Sequence, residues 1–225
     1  MDVMGLRRRI LQTTGGGLPD GYVPVEYLET HGYRARIDTG IGGNDQTIRM
    51  DFDVKSIARG NYVTAVGNYT NTEADNGWRF MQRQSGSSYD KQYAVNCGNR
   101  KFSDAKATTL SATIVDMLVN VQMEYAKCIV TEPSGKKNTL NLADSLGNTN
   151  NTHICVGGNK VDYDTGAAHY FQFYNHFRMW QGGRLVRDYR PCKRVSDDKP
   201  GFYDLVNQQF CPSIGTVDFT AGPEV

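Results

Sequence analysis

Along most of this chain apolar and polar residues alternate with a period of two. From Thr47 to Val54, the residues Ile48, Met50, Phe52 and Val54 share one side, and Arg49, Asp51 and Asp53 share the other. That is the spacing of a β-strand with one wet face. Tyr33, Ala35 and Ile37 oppose Arg34, Arg36 and Asp38 in the same way, which predicts a strand over residues 33–38. The pattern predicts further strands at 62–66, 78–82, 89–95, 113–119, 121–131, 152–156 and 169–180, then at 185–189, 201–205, 209–211 and 217–220. Helical spacing is nowhere sustained. The segments between these runs are rich in Gly, Asn, Asp, Ser and Pro, which punctuate antiparallel β-structure. The run from His169 to Trp180 carries aromatics on both faces and reads as a central core strand. An all-β antiparallel sandwich follows, since a parallel α/β fold would need helical segments between the strands.

Two stretches are more specific than this rhythm. One is the opening, LPDGYVPVEYLETHGYRARIDTG from Leu18 to Gly40, and the other is the closing segment, LVRDYRPCKRVSDDKPGFYDLVNQQFCPSIGTVDFTAGPEV from Leu185 to Val225. Together they resemble the brackets of LamG-like, concanavalin A-like jelly-roll domains common in phage and prophage proteins of gut bacteria. In that family the middle varies. The opening departs from the usual pattern at His31, Arg34 and Arg36 but keeps Ile37-Asp38-Thr39-Gly40. The resemblance implies a jelly-roll β-sandwich over residues 18–225. It gives Arg187, Asp188, Tyr203, Asp204 and Phe210 a scaffold role, closing the sheets and covering edges that would otherwise be open to pairing.

Composition narrows the function classes. The chain has 225 residues, enough for one sandwich, with a net charge of +1 that argues against nucleic-acid coating. Five cysteines (Cys97, Cys128, Cys155, Cys192, Cys211) show no zinc spacing and read as free thiols. No apolar stretch is long enough for a signal peptide or a membrane span. Residues 1–17 differ from the rest: Leu6, Arg7, Arg8, Arg9 and Ile10 make a basic and apolar arm, followed by a glycine hinge at Gly15 to Gly17. Such an arm can pair with acidic groups and bury apolar side chains on a partner, and is read as an anchor.

Candidate chemistry is sparse. Sandwich glucan hydrolases carry closely spaced acids on one strand, yet Glu-x-Asp-x-x-Glu does not occur here. Asp51 and Asp53 read as a solvated sheet face, and Asp162 and Asp164 as an acidic turn with a weak resemblance to a calcium loop. The histidines have no metal-ligand spacing, and there is no GxSxG elbow. No cofactor is therefore expected. For carbohydrate, the loop carrying Tyr69, Asn71, Asp75, Asn76 and Trp78, with Tyr89 nearby, offers aromatic faces and planar hydrogen-bonding groups; the competing reading makes Trp78 core and the polar residues turn formers.

The expectation is a non-enzymatic phage structural or adhesive protein: a head fibre, capsid decoration or tail fibre held in the virion by its arm. It would display a lectin-like sandwich toward host glycans and form a homo-oligomer, a trimer by analogy with fibres. The alternatives are a carbohydrate-binding module at a bacterial cell surface and, behind it, a glycoside hydrolase.

Overall fold

A computed structural model of the protein describes residues 17–57, 63–68, 77–85, 90–97, 106–109, 117–125, 127–141, 152–158 and 170–225. Among these residues the chain is β-structure throughout, apart from one 3-10 turn at Gly32–Arg34. Every strand pairing is antiparallel, and two sheets pack face to face as a jelly-roll sandwich.

The larger sheet has eleven strands. Its main path runs β11 (Lys137–Asn141), β10 (Lys127–Thr131), β9 (Val119–Glu124), β4 (Arg49–Ser56), β13 (Phe171–Gln181), β14 (Arg184–Arg194), β15 (Lys199–Asp204) and β16 (Gln209–Pro212). Three short strands complete it: β1 (Tyr22–Pro24) on β14, β2 (Tyr27–Glu29) on β13, and β17 (Thr220–Ala221) on β2. The smaller sheet has six strands, in the order β3 (Ile37–Gly42), β12 (His153–Val156), β5 (Val63–Gly67), β6 (Trp78–Ser85), β7 (Asp90–Cys97) and β8 (Lys106–Thr109).

The core forms where the inward positions of both sheets meet. Phe52 of β4 stacks on Phe177 of β13 at 5.0 Å and meets Phe80 of the smaller sheet edge-on at 5.7 Å. Phe80 in turn stacks on Tyr93 at 5.3 Å. At one end Arg187 of β14 crosses between the sheets. Its guanidinium donates from Nε and Nη2 to the Thr39 carbonyl of β3, at 2.9 and 2.7 Å, and lies 3.6 Å from the buried Asp204 carboxylate. Gly40 beside that carbonyl has φ +70°, a conformation glycine adopts without the steric cost a Cβ would bring.

The opening and closing segments, far apart in sequence, are zipped together. β1 pairs with β14 and β2 with β17, and Val25 bridges Glu224. The Gly222 amide donates to Tyr27 O at 2.9 Å, and the Ile214 amide to Arg36 O at 2.8 Å. Gly222 packs so closely on the Tyr27 ring that an added Cβ would sit 2.7 Å from it.

Several local expectations change: of the run 217–220 only Thr220 is strand, and of 117–119 only Val119. Residues 32–34 form a 3-10 turn, so the strand there begins at Ile37; Ala35 and Ile37 are nonetheless buried and Arg34 and Asp38 exposed, as the alternation required. The span 121–131 is a hairpin, β9 and β10, that turns at Tyr125. β13 is central, as its aromatics suggested, but it is interrupted. Tyr174 pairs with Asp53 and Phe177 with Phe52, so Asn175 and His176 are two extra residues with no partner on β4. Inserting two residues preserves the inward parity of Phe173 and Phe177, and Asn175 takes up the bend with φ +43°.

Candidate functional site

Only part of the sequence-predicted site falls within the described residues. Trp78 is 1% exposed, and its indole N–H donates to Gly43 O at 3.1 Å. It is a core side chain with a satisfied donor and presents no face to a ligand, which corrects the carbohydrate-contact expectation for this residue. Tyr69, Asn71, Asp75, Asn76, Tyr89, the arm residues Leu6, Arg7, Arg8, Arg9 and Ile10, and the weak calcium pair Asp162 and Asp164 lie outside the described residues. Among the described residues no group of His, Cys, Asp and Glu is arranged to hold a metal ion. Cys192 and Cys211 are free thiols.

The two outer faces differ. On the smaller sheet the outward residues Thr64, Met81 and Ala94 are all at most 1% exposed, so the middle of that face is closed. The outer face of the larger sheet is more open across β9, β4, β13 and β14: Arg49 and Glu124 are exposed and Asp51, Asp53, Asn120, Tyr174, Arg178 and Trp180 partly so, while Gln172 and Asp188 on the same face are buried. The extruded pair of β13 lies at its centre.

There His176 stands between two carboxylates, with Nε2 3.5 Å from Asp51 and Nδ1 3.5 Å from Asp53. Asn120 of β9 donates its Nδ2 to both carboxylates, at 2.7 and 3.0 Å, and Asn175 donates to Asp53 at 2.9 Å. Two arginines share the neighbouring Asp188: Arg178 Nε at 3.3 Å and Arg190 Nη2 at 3.1 Å. Aromatic groups flank this centre. Trp180, beside Gln181 at one end of β13, carries the Arg49 guanidinium 5.2 Å from its ring centroid. Toward the other end Tyr174 packs on Tyr27 at 5.2 Å and donates its hydroxyl to Gln172 at 2.8 Å. Across β14 the same face continues to Tyr203, which packs on Tyr22 at 4.7 Å, and to Phe210, 5.4 Å from Tyr22.

The electrostatics keep Asp51 ionised. Half-burial pushes the Asp51 carboxyl up, but His176, Asn120 and the charge of Arg178 outweigh that cost and hold it below the usual carboxylate range. Burial, with Glu26, Tyr27 and Glu29 nearby, pushes the Tyr174 hydroxyl up to about 12, so it stays a neutral donor. The Asp51 and Asp53 oxygens on the Asn120 amide are no farther apart than the sum of those two hydrogen bonds. That bound admits the spacing of about 5–5.5 Å in retaining glycosidases. A general acid there, however, needs its pKa raised, and Asp51 is shifted the other way. Asp51 is suited instead to accepting hydrogen bonds, since an ionised carboxylate has about four acceptor positions.

The sequence placed Asp51 and Asp53 on an outer face correctly but read them as merely solvated. It missed His176, Asn175 and Asn120 because their meeting depends on the register of β13 and β9 against β4. The one available signal was Asp51-x-Asp53 on a clean strand, together with an aromatic run interrupted by Asn-His.

No family model matches the sequence, and no curated protein matches it either. Solved structures with a similar fold include the bacteriophage CBA120 tailspike protein 2 enzymatically active domain, at 8% identity and a TM-score of 0.51. That alignment covers 83% of this chain and 35% of the tailspike chain, so this chain spans about a third of it. A heptameric SAP-like pentraxin from Limulus polyphemus aligns at 9% identity and a TM-score of 0.37, over 76% of this chain and 74% of its own. At this identity the tailspike likeness is one of fold.

Proposed function

We propose that this chain is a non-enzymatic adhesive module of a phage particle that binds carbohydrate on the outer face of its larger sheet. The observation that carries the reading is the platform around His176: clustered carboxylates, amides and guanidinium groups, flanked by the partly exposed Trp180 and Tyr174. Sugars present hydroxyls to planar polar groups and C–H faces to aromatic rings, and this face supplies both. The phage setting is supported by the bracket motifs, while the tailspike domain is an instance of a similar fold in such a particle. On this reading residues 1–17 anchor the module to other virion proteins, and the sandwich assembles as a homo-oligomer.

Two measurements test it. Wild-type protein is expected to be retained by purified bacterial envelope polysaccharide, and Trp180→Ala to weaken that retention by roughly tenfold without unfolding the sandwich. Deleting residues 1–17 is expected to leave a folded, sugar-binding protein that no longer enters particles. Normal incorporation of the truncated chain would sink the anchoring role, and failure of the wild type to bind any glycan would sink the adhesive one.

A further inference from the structure

The platform also constrains the form of the sugar it receives. Tyr174 and Trp180 lie on one strand and one face, paired with Asp53 and Arg49 of β4. Because β4 is regular between those two positions, its four-residue interval sets the separation of the aromatic positions at about 13 Å. That is the length of a few consecutive pyranose units in an extended chain. The two residues extruded from β13 do not lengthen this path. They place His176 and the Asn175 amide beside Asp51, Asp53 and Asn120, with Asp53 and Asn120 at the level of Tyr174 and Asp51 halfway toward Trp180.

A site that recognises a single terminal sugar encloses it in a concave pocket and buries most of its surface. Here the polar centre lies on a sheet, with an aromatic position toward each end along the strand and, among the described residues, no shared wall. The acceptors at the centre are carboxylate and amide oxygens, which meet hydroxyl donors. Resting on the adhesive reading above, we infer that the face takes an internal segment of a linear, hydroxyl-rich polysaccharide lying along β13, with consecutive sugars spanning from Tyr174 to Trp180. Binding energy is then spread over several units. The outer units stack on the two rings, the unit at the Tyr174 end also meets Asp53 and Asn120, and the middle unit meets Asp51.

The test is a length series. Envelope polysaccharide is taken from bacteria that retain the protein, hydrolysed, and separated by size from monosaccharide upward, and each fraction competes with the intact polymer for the full-length protein. The inference expects negligible competition by monosaccharides, a steep gain over the first few units, and a plateau beyond the span of the two rings. Trp180→Ala should weaken the fragments that reach the plateau by roughly tenfold, the effect of losing an aromatic hot spot, and leave the shortest fragments unchanged. Trp180→Phe, which keeps a ring, should retain most of the gain. Monosaccharides competing as well as long fragments would overturn the inference while leaving the adhesive reading intact. So would an unaltered length dependence in both Trp180→Ala and Tyr174→Ala. If no fraction binds, intact polymer included, it is the adhesive reading itself that fails.

Discussion

Asp51 shows how a single side chain on this face couples charge to stability. Its folded carboxyl is held below the unfolded value of about 3.9 by its partners. The stabilisation it provides is therefore complete above about pH 4 and is lost as pH falls through the lower folded value. Asp51→Asn is expected to lower the melting temperature at neutral pH by roughly 2–4 °C, the shift that about 1 kcal/mol of lost hydrogen bonding gives in a domain of this size. The gap to wild type should close as pH drops below the carboxylate range; a gap independent of pH in thermal melts would show that Asp51 is not ionised in the fold. Arg187 acts by a different route. Its guanidinium ties β3 to β14 through the Thr39 carbonyl and neutralises Asp204, which is 2% exposed. Arg187→Met keeps the volume but strands a buried carboxylate, and should cost about 3 kcal/mol in denaturant unfolding.

At the scale of elements, the interruption of β13 separates scaffold from site. The inward side chains Phe171, Phe173, Phe177 and Met179 keep strict parity through it, because two residues are inserted rather than one. Deleting Asn175 and His176 together should therefore restore regular pairing between β13 and β4. The deletion variant is expected to fold with stability within about 1–2 kcal/mol of wild type, the range of most single changes, and to lose polysaccharide retention. Unfolding of that variant would mean that the extruded pair supports the sheet itself. The same strand shows what was legible beforehand. Its core positions follow from period-two patterning, which is local. The bulge is a mismatch between two strands more than a hundred residues apart, so no local period could reveal it. The 121–131 span was misjudged for a related reason. Its Tyr125 turn lacks the glycine or proline that marks other turns, such as Gly182-Gly183 between β13 and β14, where both residues have positive φ.

For the whole molecule, the two bracketing segments turn out to be one structural unit, which gives a physical reason for their occurring together in the sequence. Leu28 of β2 pairs with Ala221 and Phe173, and Phe219 packs edge-on against Phe202 at 5.5 Å with 3% of its surface exposed. Lys193 pairs with Glu224 at 3.0 Å, and the Val225 amide donates to Pro24 O. The scaffold was legible because these ends carry turn glycines and alternating core residues in recognisable order. The platform was not, because it draws its residues from β4, β9, β13 and β14, and the sequence does not state their lateral order. If the ends close the sandwich as a unit, the two termini should differ sharply in tolerance to truncation. Removing residues 1–17 leaves every one of these interactions in place and should shift the melting temperature little. Removing residues 218–225 takes away Phe219, a loss of about 3–5 kcal/mol by itself, along with the β17 pairing and the backbone bonds to Tyr27 and Pro24. The sum is comparable with the entire stability of an ordinary domain, about 5–15 kcal/mol. The C-terminally shortened chain should therefore be recovered as insoluble or unfolded protein. A soluble truncation that melts in one sharp transition near the wild-type temperature would show that the closing segment decorates the sandwich instead of completing it.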